Sequence, residues 1–287
     1  MSLNRHEISI GPPGRWLTPV HWRILGATIT GFALLVLAYL VIPTLVILPL
    51  SLSPDSYLAF PPSGVSLRWY QDFLDSADYR IAILNSLKIG LPSALLAGVF
   101  GTMAALAFAR AEFPFRRSLG MLMIAPIVLP QIVLAIGLYP LMAKIGIVGS
   151  FGGIILAHAV VAMPLVFISV SAALNACPVV FERAAATMGA NHWQVFRHVT
   201  LPLIRPGVIV GMIFAFAFSF DELILAMFLT SASTRTVPRL LWEQLNFQMT
   251  PLITAASVVL LMATMGLLLI SAWINRDRTA QRRKDAP

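Results

Sequence analysis

The sequence predicts an all-α integral membrane protein with six transmembrane helices, and three observations carry that prediction. Of 287 residues, 58% are hydrophobic and 11% charged, with a mean hydropathy of +0.84. That lies far outside the composition of soluble domains. Apolar segments long enough to cross a hydrocarbon core, which takes roughly 20 residues, fall at about 24–50, 82–109, 118–142, 152–175, 206–229 and 251–274. Finally, fourteen of the twenty Lys and Arg residues sit in the two tails and in the second and fourth loops, the distribution that marks the cytoplasmic side. An even number of spans places both termini there, as an N-terminal tail over 1–23 and a basic tail over 276–287.

The same totals exclude several functions. The net charge of +8 resides in short loops and tails beside apolar spans, so anionic headgroups explain it better than nucleic acid does. The single cysteine, Cys177, forms no internal disulfide and no metal cluster. A polar stretch of 23 residues before the first span, with more spans following, argues against a cleaved signal peptide.

After span one, the external segment Ser51 to Arg80 predicts a short helix capped by Ser66, with Trp69, Tyr70 and Phe73 anchored at the membrane interface. Span two opens with Asn85 and Lys88, and the lysine is near enough to the outer end to snorkel. Span three carries Pro126, Pro130 and Gln131. Prolines there free carbonyls that a neighbouring helix or a wet cavity must satisfy, so this span either lines a pore or is kinked for packing. Span four holds His158, read as a hydrogen-bonded packing residue, and opens with Gly149 and Gly153. Like Gly207 and Gly211 in span five, this pair permits close helix contact and is a candidate dimer interface.

Span five holds the most costly residues. In FAFAFSFDELILAMF, Asp221 and Glu222 have no basic neighbour, and a charge in hydrocarbon costs about 2.5–3.5 kcal/mol even on insertion scales. Adjacent residues on a helix point about 100° apart. One acid is therefore expected to line a water-filled path while the other pairs or caps; the alternative is an acid paired with a base on another helix. The loop after it offers Trp242 beside Glu243, an aromatic and an acid able to hold a cationic amine, or else an interfacial anchor. The tail NRDRTAQRRKDAP is expected to be a disordered topology anchor.

The fourth loop, FERAAATMGANHWQVFRHVTLPLIRP from Phe181 to Pro206, is the longest polar interruption between spans. Ala184, Ala185 and Ala186 favour a short helix that stops at Gly189. Asn191 and Gln194 have capping-box spacing, starting a second helix through Trp193, Phe196 and Val199. Pro202 disfavours helix at Leu201 and Pro206 suits the first turn of span five.

This loop resembles the EAA loop of binding-protein-dependent ABC importer permeases, whose pattern is Glu-Ala-Ala, three residues, Gly, nine residues, Ile, one residue and Leu-Pro. Ala184, Ala185, Gly189, Val199, Leu201 and Pro202 fall at the matching spacing. Arg183 stands where the pattern has its acid, with Glu182 one place earlier, and Val199 replaces Ile. Over residues 60 to 275 the six-span plan, the outer aromatic helix, LPQIVLAIGL and SFDELILAMF are similar to the second permease of spermidine/putrescine importers.

The resemblance implies a type I importer permease domain over 24–275, with a coupling loop at about 176–205 in which Glu182, Arg183, Ala184, Ala185, Gly189, Val199, Leu201 and Pro202 meet the ATPase. It implies a second permease subunit in a heterodimer, two cytoplasmic ATPase subunits carrying ATP-Mg, an extracytoplasmic solute-binding protein, and a place in the bacterial inner membrane lipid. This chain itself would take no cofactor and bind no nucleic acid. Asp221, Glu222, Trp242 and Glu243 are the substrate-path candidates. Related permeases carry opines, amino-acid-like compounds or iron, and a self-contained proton-coupled transporter is the alternative from another class. Neither a Walker loop nor His-Glu-x-x-His occurs, so neither ATP hydrolysis nor zinc proteolysis belongs to this chain.

Overall fold

The computed structural model describes the backbone of residues 19–247 and 249–284, with side chains from 26 to 270 apart from Gln248. Positions 1–18 of the expected N-terminal tail lie outside the described residues. The elements are α1 (Pro19–Ser51), α2 (Arg68–Asp75), α3 (Ala77–Arg110), α4 (Arg116–Val128), α5 (Gln131–Lys144), α6 (Phe151–Asn175), α7 (Val179–Thr187), α8 (His192–Val195), a π-helical turn (Phe196–Thr200), α9 (Leu201–Asp221), α10 (Ile224–Leu229), α11 (Val237–Phe247) and α12 (Pro251–Lys284).

Helices α3, α6 and α9 form the packed centre, around Ala97, Ala105, Val166, Val170, Leu174 and Ile204. Small residues bring α9 onto α6: a Cβ at Gly207 would lie 2.6 Å from the Ala173 Cβ and 2.9 Å from the Ser169 carbonyl oxygen. The Ser169 hydroxyl donates to the Gly207 carbonyl at 2.8 Å. Gly207 and Gly211 are thus consumed inside the chain rather than at a dimer face. Gly149 is consumed likewise, its N–H bonded to the Leu229 carbonyl at 2.9 Å. Overpacking such a contact costs about 1–3 kcal/mol. Gly207→Ala should therefore lower the melting temperature of the purified subunit, whereas Gly137→Ala, with nothing within 4 Å, should leave it unchanged or raise it.

Among the described residues five helices are long and apolar enough to cross a membrane singly, and α4 with α5, bent by 103°, forms a broken sixth span or a re-entrant loop. The bend replaces the single rod expected over 118–142. Leu129 precedes Pro130, which pushes it out of helical space, and its backbone is extended. Span five departs from expectation twice. Pro202 does not interrupt the chain, because the Leu201 N–H reaches back five residues to the Phe196 carbonyl. This π-turn carries α8 directly into α9, where Pro202 occupies the first turn and needs no donor. The helix then stops at Asp221 and resumes at Ile224, so the expected run over 206–229 is broken at the two acids. The basic tail, expected to be disordered, continues α12 as helix through Lys284, in keeping with its Arg, Gln, Ala and Lys content.

The aromatics of α2 turn inward instead of anchoring at an interface. Trp69 and Phe73 are buried, and Phe73 packs with Tyr79, Ala82, Val237, Leu240 and Ala256. The Ser66 hydroxyl accepts the Arg68 N–H at 3.1 Å. Asn85 donates to the Ser233 and Arg235 carbonyls, both at 3.0 Å, fixing the loop before α11. His158 is buried with its Nδ1 2.8 Å from the Ser219 hydroxyl, which ties α6 to α9.

Candidate functional site

The loop between α6 and α9 folds as its residues dictate. Helix α7 ends in a Schellman motif: the Gly189 N–H bonds the Ala186 carbonyl at 3.0 Å and the Ala190 N–H the Ala185 carbonyl at 3.1 Å. Gly189 supplies the required positive φ, +92°. The capping box is present in full. Asn191 Oδ1 accepts the Gln194 N–H and Gln194 Oε1 accepts the Asn191 N–H, each at 2.9 Å.

Helices α7 and α8 and the start of α9 enclose an open groove of about 910 Å³. Ala184, Ala185, Gly189, Val199 and Pro202 line it, with Phe181 and Met188 at its lips. Met188 is 88% exposed, an apolar side chain held in the open beside a small-residue floor. Of the remaining sequence-predicted residues, Leu201 starts α9 outside the lining. Arg183 is exposed and, at 100° per residue, lies on the side of α7 away from the groove.

Glu182 takes a third direction, toward the end of α3. Its carboxylate accepts two bonds from Arg110 Nε at 3.0 and 3.2 Å and one from Nη2 at 3.0 Å. Nη2 also donates to the Cys177 carbonyl at 3.1 Å, and the Thr200 hydroxyl donates to Glu182 at 3.0 Å.

At the far end of α9 the two acids part. Glu222 is 4% exposed and its Oε1 accepts the Leu225 N–H at 2.8 Å, capping the first turn of α10. Asp221 is exposed, and both acids line a cavity of about 450 Å³ shared with Gln131, Phe214, Phe218 and Thr264. This cavity lies where the α9–α10 break meets the α4–α5 break. Interrupted helices leave backbone polar groups facing such a space, the arrangement that makes solute sites at membrane depth.

Trp242 and Glu243 do not line that cavity. Glu243 is held by Arg235 at 3.2 Å and Arg239 at 2.8 Å, and Arg235 also reaches Asp78 at 3.1 Å. Each oxygen of this carboxylate accepts from one guanidinium group, whose charge competes with that of a cationic amine. The expected aromatic-and-acid pair is replaced by a latch joining α11 to the start of α3.

Residues 97–277 match the family model described as the binding-protein-dependent transport system inner membrane component. The chain belongs to that family. This membership places it among multi-pass inner-membrane permeases. It is 35% identical over 214 residues to the trehalose transport system permease protein SugB of Mycobacterium tuberculosis, covering 74% of this chain and 76% of the relative. With the spermidine/putrescine transport system permease protein PotC of Escherichia coli it shares 26% identity over 249 residues, covering 87% and 94%. A bacterial alginate ABC transporter chain superposes with a TM-score of 0.69 at 15% identity, covering 89% of this chain and 95% of that one. The fold is that of the type I importer permeases.

Within this permease the sequence pointed to Glu182 but not to its partner. Arg110 reads as one more topology charge at a span end. The available signal was a pair of charges without named partners, an acid on the loop and an arginine at a span end read as lying on the same side. Gln131 was legible only as part of a span that lines a pore or is kinked, and Thr264 left no signal, since only the tertiary fold brings α5 and α12 to Asp221.

Proposed function

We propose that this chain is the transmembrane permease subunit of an ATP-driven importer that moves a small cationic solute of the polyamine class. It works as a heterodimer with a second permease, fed by an extracytoplasmic solute-binding protein and driven by two ATPase subunits. The loop end and both termini face the cytoplasm. ATP-driven closure moves α7 and α8, and these turn the spans to alternate access. The observation that supports this best is the loop itself, an apolar groove exposed to solvent on one side of α7 and bonded to span ends on another. A self-contained proton-driven transporter has no use for such a surface.

The cationic class rests on Asp221, a carboxylate open to an intramembrane cavity with no base among its lining residues. A second reading, a hydroxyl-rich solute, has its own support. Gln131 and Thr264 flank Asp221 with neutral hydrogen-bonding groups, and 35% identity links the chain to SugB.

The test is a mild-detergent pull-down of the subunit expressed with its neighbouring genes, followed by ATPase assay with the binding protein loaded from a panel of polyamines, amino acids and disaccharides. The expected result is copurified ATPase stimulated by a polyamine. Stimulation by a disaccharide alone establishes the second reading. A subunit that purifies alone yet carries proton-dependent flux in liposomes overturns both.

A further inference from the structure

The Arg110–Glu182 pair is placed where four parts of the chain converge. Arg110 is the last residue of α3, Cys177 lies in the turn leaving α6, Glu182 is on α7, and Thr200 ends the π-turn that enters α9. Arg110 bonds both Glu182 oxygens and the Cys177 carbonyl, while Thr200 bonds the same carboxylate. The arginine and glutamate side chains are 24% and 16% exposed, a setting in which charge-assisted, two-pronged bonds are strong and directional. Elsewhere α7 carries little that could hold it. None of its residues is buried, and another of its faces lines the groove.

We infer that this ion pair is a clamp that locks α7 to the ends of α3, α6 and α9, so that the loop and the three central spans move as one body. Arg110 is then a positioning residue for coupling, and Thr200 its auxiliary. The inference deepens the importer reading and rests on it for the word coupling, but the clamp itself is testable on the subunit alone.

Cys177 is the chain's only cysteine, is 4% exposed, and sits under the clamp, so the native protein carries its own reporter. Burial first, and then the Glu182 carboxylate, hold its thiol above the ordinary range, while Arg110 offsets part of this. The reactive species is the thiolate. If charge alone governed labelling, Arg110→Ala would slow it and Glu182→Gln would speed it. Opening of the clamp accelerates both.

The experiment is the rate of N-ethylmaleimide labelling at Cys177 in membranes containing the full-length subunit, for wild type, Arg110→Ala, Glu182→Gln, Thr200→Val and the exchange Arg110→Glu with Glu182→Arg. Both single charge variants should label faster by on the order of tenfold, as expected when a local opening loses a charged bond. Thr200→Val should shift the same way by less, and the exchange should return toward the wild-type rate. Opposite shifts in the two single variants, or no shift, overturn the clamp. In the assembled importer, the charge variants should retain copurified ATPase but lose its stimulation by loaded binding protein, and the exchange should restore it. Normal stimulation with fast labelling would mean that the clamp closes the loop without coupling it. Should no ATPase copurify even with wild type, the importer reading fails while the labelling result stands.

Discussion

Gly189→Pro is expected to leave the subunit in the membrane at normal abundance while solute uptake falls by about 100-fold, the scale of loss that follows misplacement of a remote element. Gly189 adopts φ +92°, and proline is locked near −65°. Proline also lacks the N–H that Gly189 donates to the Ala186 carbonyl. Both effects unwind the end of α7 and displace α8, so the groove between them loses its shape. Among the described residues no neighbour lies within 4 Å of the position a Cβ would take, so an alanine there meets no packing clash. Gly189→Ala therefore isolates the conformational cost, roughly 1–2 kcal/mol for a left-handed residue, and should give partial loss. Membrane abundance, copurified ATPase and uptake measured on the same preparation check this. A proline variant that transports normally would show that the glycine break is not the hinge of the loop.

The places where sequence reasoning succeeded are those governed by neighbours in the chain. The Gly189 stop and the Asn191–Gln194 box follow from capping chemistry within six residues, and the apolar spans from length and hydropathy. Reasoning failed where a local rule met a tertiary answer. Pro202 was expected to break the helix, but the π-turn ahead of it moves the hydrogen-bond register by one residue and absorbs the missing donor. Trp69 and Phe73 have the spacing of interfacial anchors, yet both are buried, Phe73 in an apolar seat formed with α11 and α12. Glu243 looked free because its two arginines, four and eight residues before it, were counted as topology charges. The same oversight hid Arg110. In an apolar chain every charge is costly, so each needs a named partner before its location is read as orientation alone.

The two acids of span five give the second large effect, and they differ in exposure and bonding although both line one cavity. Glu222 is buried and accepts the Leu225 N–H, while Asp221 is the exposed acid of the cavity. An amide keeps a carbonyl oxygen, so Glu222→Gln can preserve the cap and should transport nearly as wild type. Glu222→Ala removes the cap, costs about 0.5–2 kcal/mol, and should appear as a lower melting temperature with uptake reduced only in proportion to folded protein. Asp221→Asn keeps shape and removes charge. For a cationic solute it should reduce uptake and solute-stimulated ATPase by about tenfold, equivalent to roughly 1.4 kcal/mol of lost attraction, with an unchanged melting temperature. For a hydroxyl-rich solute the asparagine still donates and accepts, and the loss should be small. The variant thus separates the two solute classes as well as the two acids. Replacing both acids, by Asn and Gln, with full uptake and coupled ATPase at normal abundance would remove the acids from the path altogether. A defect confined to Glu222→Gln would exchange their roles, making Glu222 the acid that the solute meets in the cavity both line.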